Sequence, residues 1–216
     1  MKNIQRVFID MDLVPGMRGA LTVAQHHYLT RVMRADKFLA FNNGREFEAV
    51  VSGKDFVIGQ NTGRADSSGK WVFNFAPIKR IDELVGAVVQ MGAGVLQPVI
   101  TERTVARHVN WERIRKIVIE AAEQSGRNSI PELKEPIQFS ALEKKGLVYG
   151  NPYTTVAQAR NAAAAFFIGP EGGLTDAEYI ALDKGGAIGV SLGQTILRAE
   201  VAAVAIIAKQ LVTSDK

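Results

Sequence analysis

The chain contains no cysteine. That excludes disulfides, thiolate metal sites and cysteine nucleophiles, and it fits a reducing compartment. Only three histidines occur in 216 residues, and His26 and His27 are neighbours. Adjacent residues on a regular element point in different directions, so this pair is poorly placed to share one ion, and no metal site is expected. No apolar run approaches the roughly 18 residues of a membrane span. The opening MKNIQRVFIDMD lacks a basic stretch followed by a continuous apolar run, so a secretory signal is not expected either. A cytoplasmic protein is the resulting expectation. Neither GxGxxG nor GxxxxGK[ST] is present, which removes the residues that dinucleotide and P-loop sites require.

What remains is an ordinary globular balance, 47% hydrophobic and 22% charged, with a net charge of +4. Such a chain can build one large domain, or a small one joined to a larger one. The positive charge permits an anionic partner without demanding it.

Residues 1–75 are rich in short β-branched and aromatic runs: Val7–Ile9, Phe38–Phe41, Phe47–Val51 and Trp71–Phe75. Turns punctuate them at Pro15-Gly16, Asn42-Asn43-Gly44 and Ser67-Ser68-Gly69, and Asn43-Gly44 is a strong hairpin signal. A helical insert is expected at Thr22–Met33, and the whole suggests a small barrel. On a helix His27, Arg31 and Arg34 share one face, which suits either phosphate contact or plain solvation. Residues 76–80 read as a junction.

From Ile81 onward helices alternate with short apolar strands. Helices are expected at Ile81–Met91, at Trp111–Ser125 behind an Asn110 cap, from Thr175 to Leu182, and from about Thr195 to Leu211. Strands are expected at Val95–Ile100, Gly146–Tyr149, Ala162–Ile168 and Ile188–Leu192. This alternation argues for a parallel sheet with helices on both faces. The helix VAAVAIIA, Val201–Ala208, is apolar around most of its circumference, so it needs cover either within one chain or at a subunit interface.

Two strands end in glycine-bearing turns, Gly169-Pro170-Glu171-Gly172-Gly173 and Gly193-Gln194-Thr195. Glycines after a strand let backbone groups come close to a ligand. Two such turns about 24 residues apart suggest one pocket. Leu192, Ile196 and Leu197 offer apolar walls, and Gly150-Asn151-Pro152 a third side. Arg198 and Glu200 stand just past the second turn, as a surface ion pair or as working groups. Glu171 suits either the pocket or a cap on the following helix.

The segments FIGPEGGLTDAE and VSLGQTILRAEVAA resemble the closing region of the RsmE-type 16S ribosomal RNA uridine-N3 methyltransferases, of the SPOUT class. HHYLTRVMR and AAEQSGR are similar to the same family. The resemblance implies a trefoil-knotted SPOUT α/β domain over 76–216, preceded by a PUA-like RNA-binding β-barrel over 1–75. It implies S-adenosylmethionine as cofactor, held by Gly169, Pro170, Glu171, Gly172, Gly173, Leu192, Gly193, Ile196 and Leu197. It implies methyl transfer to N3 of a uridine in 16S ribosomal RNA, or in the small ribosomal subunit, with Arg198 and Glu200 catalytic. RNA contacts are implied for Arg6, His27, Arg31, Arg34 and Arg127, and a homodimer is implied as well. The chain departs from the family pattern at Ala87, Gln90, Thr195 and Ala199. The departures at Ala87, Gln90 and Thr195 keep open an RNA-binding module that has lost catalysis, and fold alone does not exclude a relative with a 2′-O-ribose target.

Overall fold

The computed structural model describes residues 4–66, 69, 71–106, 108–156 and 164–211. Two compact units emerge, Met1–Ser68 with Ile119–Ile130, and Gly69–Val118 with Pro131–Lys216. The expected Ser67-Ser68 turn and the Ala162–Ala163 start of a strand lie outside the described residues.

In the first unit β1 (Arg6–Phe8) and β2 (Arg18–Ala20) precede a short helix α1 (Val23–His27). The strands β3 (Lys37–Asn42), β4 (Arg45–Ser52) and β5 (Asp55–Ala65) follow. They form a curled five-stranded sheet in the order β1-β3-β4-β5-β2. The β3–β4 turn is made by Asn43 and Gly44, with φ of 49° and 75°. Two consecutive positive φ values are what a tight two-residue hairpin needs. Alternate strand residues, among them Phe38, Ala40, Phe47, Ala49, Phe56 and Ile58, fill the core.

The helical insert differs from expectation. After α1 the backbone widens into a π-turn over Tyr28–Val32, and Arg34 adopts φ 50°. A π-turn carries more residues per revolution, and a left-handed residue ends any helix. The i, i+4, i+7 alignment of His27, Arg31 and Arg34 is therefore not realised, although all three side chains are exposed. The eleven-residue β5 had no clear sequence signal. Residues 60–65 are exposed, and the β4–β5 ladder is irregular, with register shifts around Phe47. A half-exposed, bulged strand loses the period-2 pattern.

The second unit opens with β6 (Val72–Phe75), α2 (Ile81–Gln90) and β7 (Val95–Ile100); α3 (Trp111–Ser125) follows, its residues to Val118 in this unit and those from Ile119 in the first. The strands β8 (Glu132–Leu133), β9 (Ile137–Gln138), β10 (Leu147–Gly150) and β11 (Ala165–Ile168) come next. The unit closes with α4 (Asp176–Lys184), β12 (Ile188–Val190) and α5 (Ala199–Leu211). Among the described residues its strands pair in parallel, in the order β12-β10-β11-β6-β7-β8, with β9 beside β7. The run Trp71–Phe75, read with the first segment from its aromatics, supplies the strand between β11 and β7.

Successive strand residues face opposite sides. Leu147, Tyr149, Phe167 and Val99 pack with Leu174, Tyr179 and Leu182 at and just before α4. On the other face α5 packs on β10 and β11, and α2 packs against α5. Helices thus cover both faces. The residue signals at helix ends hold: Asn110 Oδ1 accepts from Arg113 N at 3.0 Å, Gly126 has φ 79°, and Thr175 with Glu178 forms a capping box. The last helix starts at Ala199 rather than Thr195, which leaves Gly193–Arg198 as an extended turn.

Candidate active site

Four neighbouring parallel strands, β12, β10, β11 and β6, send their following loops to the same end of the sheet. In parallel sheets, ligands bind beyond the carboxyl ends of the strands. A cavity of about 530 Å³ lies there, inside the range of about 300–1,000 Å³ found for small-molecule sites. Every strand-end loop contributes: Gly150, Asn151 and Pro152 after β10, Gly169–Glu171 and Gly173 after β11, Leu192–Gly193 and Thr195–Arg198 after β12, and Lys79–Arg80 after β6.

The expected pocket residues Gly169, Pro170, Glu171, Gly173, Leu192, Gly193, Ile196 and Leu197 all line this space. Gly172 does not. Its carbonyl accepts from Arg103 Nη1 at 3.2 Å, and the same nitrogen reaches Leu174 O at 3.2 Å. Arg103, in the loop after β7, thus clamps the GPEGG turn from behind. Glu178 adds a second tie, accepting from Glu102 N and Thr175 N, each at 2.9 Å. Among the described residues Glu171 neither caps α4 nor pairs with a cation. It accepts the Lys79 backbone N–H at 2.9 Å, joining the loops after β6 and β11.

The glycines serve this site in two different ways. A Cβ on Gly169 would stand 3.1 Å from Leu174 Cδ2, and one on Gly150 would stand 3.1 Å from Ile168 Cδ1. Gly173 and Gly193 instead carry φ of 71° and 139°, with open space around them. Ile168, Leu174, Leu192 and Leu197 supply apolar surface around the cavity. Ile196 contributes only at the rim, since it is 86% exposed. Apolar walls beside turns of accessible backbone suit a neutral heterocycle such as adenine, whose edge wants donors and acceptors and whose faces want carbon.

Arg198 and Glu200 both face the cavity, but they do not pair with each other. Glu200 Oε1 lies 4.0 Å from Arg80 Nε, and its side chain is 12% exposed. Arg198 is exposed. Arg80 also donates from Nη1 to both carboxylate oxygens of Glu83, at 3.0 and 3.2 Å. Lys79, Arg80 and Arg103 escaped the sequence reading. Their one signal was position, since each lies in a loop that follows a strand of the parallel sheet.

In the first unit Arg6 is not free for a ligand. Its Nε donates to Glu46 Oε2 at 2.9 Å, and Nη2 donates to Arg127 O at 2.9 Å and to Asn128 Oδ1. The guanidinium also lies 4.5 Å from the Phe41 ring centroid. Arg127 is buried, and the loss of hydration pushes its guanidinium below the ordinary value, against the pull of Asp66. Of the five expected RNA contacts, His27, Arg31 and Arg34 are therefore exposed, while Arg6 and Arg127 are internal.

A family profile described as an RNA methyltransferase domain matches residues 70–210. A ribosomal RNA small subunit methyltransferase E from Rickettsia conorii is 30% identical over 232 aligned residues, covering 94% of this chain and 93% of that protein. The protein of the same description from Synechocystis is 29% identical, covering 83% of this chain and 68% of its own. A crystal structure of the Neisseria gonorrhoeae methyltransferase E bound to S-adenosyl methionine superposes with a TM-score of 0.87 at 27% identity, over 98% of each chain.

Proposed function

The chain belongs to the RNA methyltransferase domain family, and from that premise we propose that it methylates N3 of a uridine in 16S ribosomal RNA using S-adenosylmethionine. The observation that carries this reading is the convergence of four strand-end loops on one cavity walled by GPEGG and LGQTILR. The residues fit the cofactor: an added Cβ at Gly150 or Gly169 would crowd the walls, and the volume accepts a nucleoside with its side chain.

When bound, S-adenosylmethionine supplies a methyl group already activated by the positive charge on sulfur. The protein's tasks are then alignment of the nucleophile and disposal of the proton on uridine N3. Gly169, Pro170, Glu171, Gly173, Leu192, Gly193 and Leu197 hold the cofactor, with Gly172 as the clamped back of its turn and Ile196 at the rim. Arg198, exposed at the mouth, steadies the negative charge that develops on the uracil oxygens. Glu200 receives the N3 proton or orients the base.

We assign the curled-sheet unit, up to Ser68, to a PUA-like RNA-binding domain and the parallel-sheet unit, from Gly69, to the methyltransferase domain, which moves the expected boundary at 75 ahead of β6; His27, Arg31 and Arg34 are the phosphate contacts of the former. The substrate is the small-subunit RNA, free or in the particle. Val201 and Val204 on α5 are 48% and 38% exposed while Ala203, Ile206 and Ile207 are fully buried. That residual apolar face supports a homodimer. Among the described residues no helix is long and apolar enough to cross a membrane, and a cytoplasmic location fits the substrate.

The rival reading, an RNA-binding protein without catalysis, is disfavoured by where the departures lie. Ala87 and Gln90 are on α2 and do not line the cavity; Thr195 and Ala199 do, but neither replaces a glycine of the two turns. Titration calorimetry with S-adenosylmethionine is the first test, and absence of binding ends the proposal. Mapping the modified nucleotide in ribosomal RNA from cells lacking the protein decides between N3 and 2′-O-ribose methylation.

A further inference from the structure

Glu200 and Arg198 both line the cavity; among the described residues Glu200 has a charged neighbour, Arg80 Nε at 4.0 Å just before α2, and Arg198 has no ion pair. We propose that Arg80 is the positioning residue that sets Glu200 against the reacting uracil edge, leaving Arg198 free for the substrate. This rests on the reading above of the cavity as the site of methyl transfer.

Three observations support it. First, Arg80 is the residue immediately before α2, and Glu200 lies in the first turn of α5. The two helices pack on each other, so their starts meet at the cavity. A helix start favours a carboxylate, so Glu200 is suited to sit there. Second, Arg80 is itself held in place. Nη1 donates to both oxygens of Glu83 one turn along. Its chain neighbour Lys79 is bound through its backbone N–H to Glu171 of the GPEGG turn. Third, the side chain that stands between Glu83 and Glu200, hydrogen-bonded to the first and 4.0 Å from the second, is an arginine. A planar fork of five N–H donors can serve two carboxylates at once, whereas an ammonium acts as a single point charge.

The arrangement makes a continuous path from the cofactor turn to the working carboxylate: Glu171, Lys79 N–H, Arg80, Glu200. It predicts that Arg80, although it lines the cavity, acts on turnover rather than on cofactor affinity, because among the described residues its side-chain contacts are to Glu83 and Glu200 and not to the glycine turns.

The test is a double-mutant cycle on Arg80→Ala and Glu200→Ala. It reads kcat and KM for methyl transfer to small-subunit RNA, cofactor affinity by calorimetry, and the thermal midpoint. Arg80→Ala is expected to lower kcat by about a hundredfold, the cost of an ångström-scale misplacement. The dissociation constant for S-adenosylmethionine should stay within about twofold, well under the tenfold that 1.4 kcal/mol would produce. The double variant should be no slower than Glu200→Ala alone, because the two residues act as a unit. Arg80→Lys should recover part of kcat, and it serves as the readout if Arg80→Ala melts early. Multiplying losses in the double variant, an unchanged kcat in Arg80→Lys, or a loss of cofactor affinity matching the loss of turnover would each overturn the assignment. Failure of the unmutated protein to bind S-adenosylmethionine would instead overturn the functional reading beneath it.

Discussion

The Tyr149 phenol donates to the Asp183 carboxylate at 2.8 Å, and Asn151 Nδ2 donates to the same phenolic oxygen at 3.3 Å. Tyr149 is on β10, Asp183 near the end of α4, and Asn151 in the cavity loop. One hydroxyl therefore joins sheet, helix and cavity wall. Asn151 also accepts from Tyr153 N at 2.9 Å, which closes the turn. Burial, and then the bond to Asp183, push the phenol up to about 12 from its ordinary value of 10. Tyr149→Phe keeps the ring in the core but leaves two polar groups without this partner, so a loss of about 1–3 kcal/mol is expected in urea denaturation. The sign with pH follows from the raised value. The phenol's contribution is present below pH 10 and is lost as pH rises through about 12. Stability of the unmutated protein should therefore fall over that interval, and the fall should flatten in Tyr149→Phe.

The cavity glycines make separable predictions. Gly169→Val places carbon against Leu174, and overpacking of this kind costs about 1–3 kcal/mol. Gly193→Ala meets no atom but asks alanine to adopt φ 139°, a backbone cost of about 1–3 kcal/mol. Gly146→Ala is the control, since Gly146 also has positive φ and open surroundings but lies away from the cavity. All three should lower the thermal midpoint. Only Gly169→Val and Gly193→Ala should weaken S-adenosylmethionine binding, by about tenfold for each 1.4 kcal/mol of distorted loop. Equal weakening in Gly146→Ala would show that affinity follows global stability.

Much of the second unit was legible because its signals are local. Asn110 and Thr175 mark helix starts through bonds to residues within one turn, and short β-branched runs bounded by glycine mark parallel strands. The cavity was half legible, because glycine turns after strands carry their meaning in their own spacing. Arg80, Arg103 and the Glu171–Lys79 bond were not legible, because each joins loops that are distant in sequence and adjacent only through strand order. The first unit hid more. A π-turn and a bulged strand both break the periods on which pattern reading depends. Arg6 looked like a free cation, since nothing local announces Glu46 forty residues away or Asn128 beyond that.

Glu123 offers a pH test in the first unit. Its Oε1 accepts the Phe8 backbone N–H at 2.9 Å. Burial raises its carboxyl above the ordinary 4.5, the Phe8 bond opposes this, and Glu120 adds to it. A raised acid favours the folded state while protonated, and that stability fades as pH climbs from about 4.5 through the folded value. Glu123→Gln keeps the acceptor and removes the charge. Its stability should be flat across that interval and should exceed that of the unmutated protein at pH 7, as read from denaturation midpoints. An unchanged pH profile would mean that the carboxylate is hydrated in the fold.

Arg6 and Arg31 should separate structure from recognition. Arg6 sits between Glu46, Arg127 O and Asn128, with its side chain 11% exposed and that of Glu46 4% exposed. Arg64 shares the same carboxylate at 3.1 Å and also donates to Gly126 O. Arg6→Met removes one of two cations from a buried acid. Breaking a buried pair costs about 3–5 kcal/mol, and the lower end is expected because Arg64 remains. Arg31 is exposed, and Arg31→Ala should leave stability within about 0.5 kcal/mol. Its effect should be on RNA instead: weaker binding, with the dependence of log affinity on log salt reduced by about one. Binding isotherms at several salt concentrations, set beside urea curves for both variants, give the comparison. A stability loss in Arg31→Ala without change in the salt slope would remove it from the RNA interface.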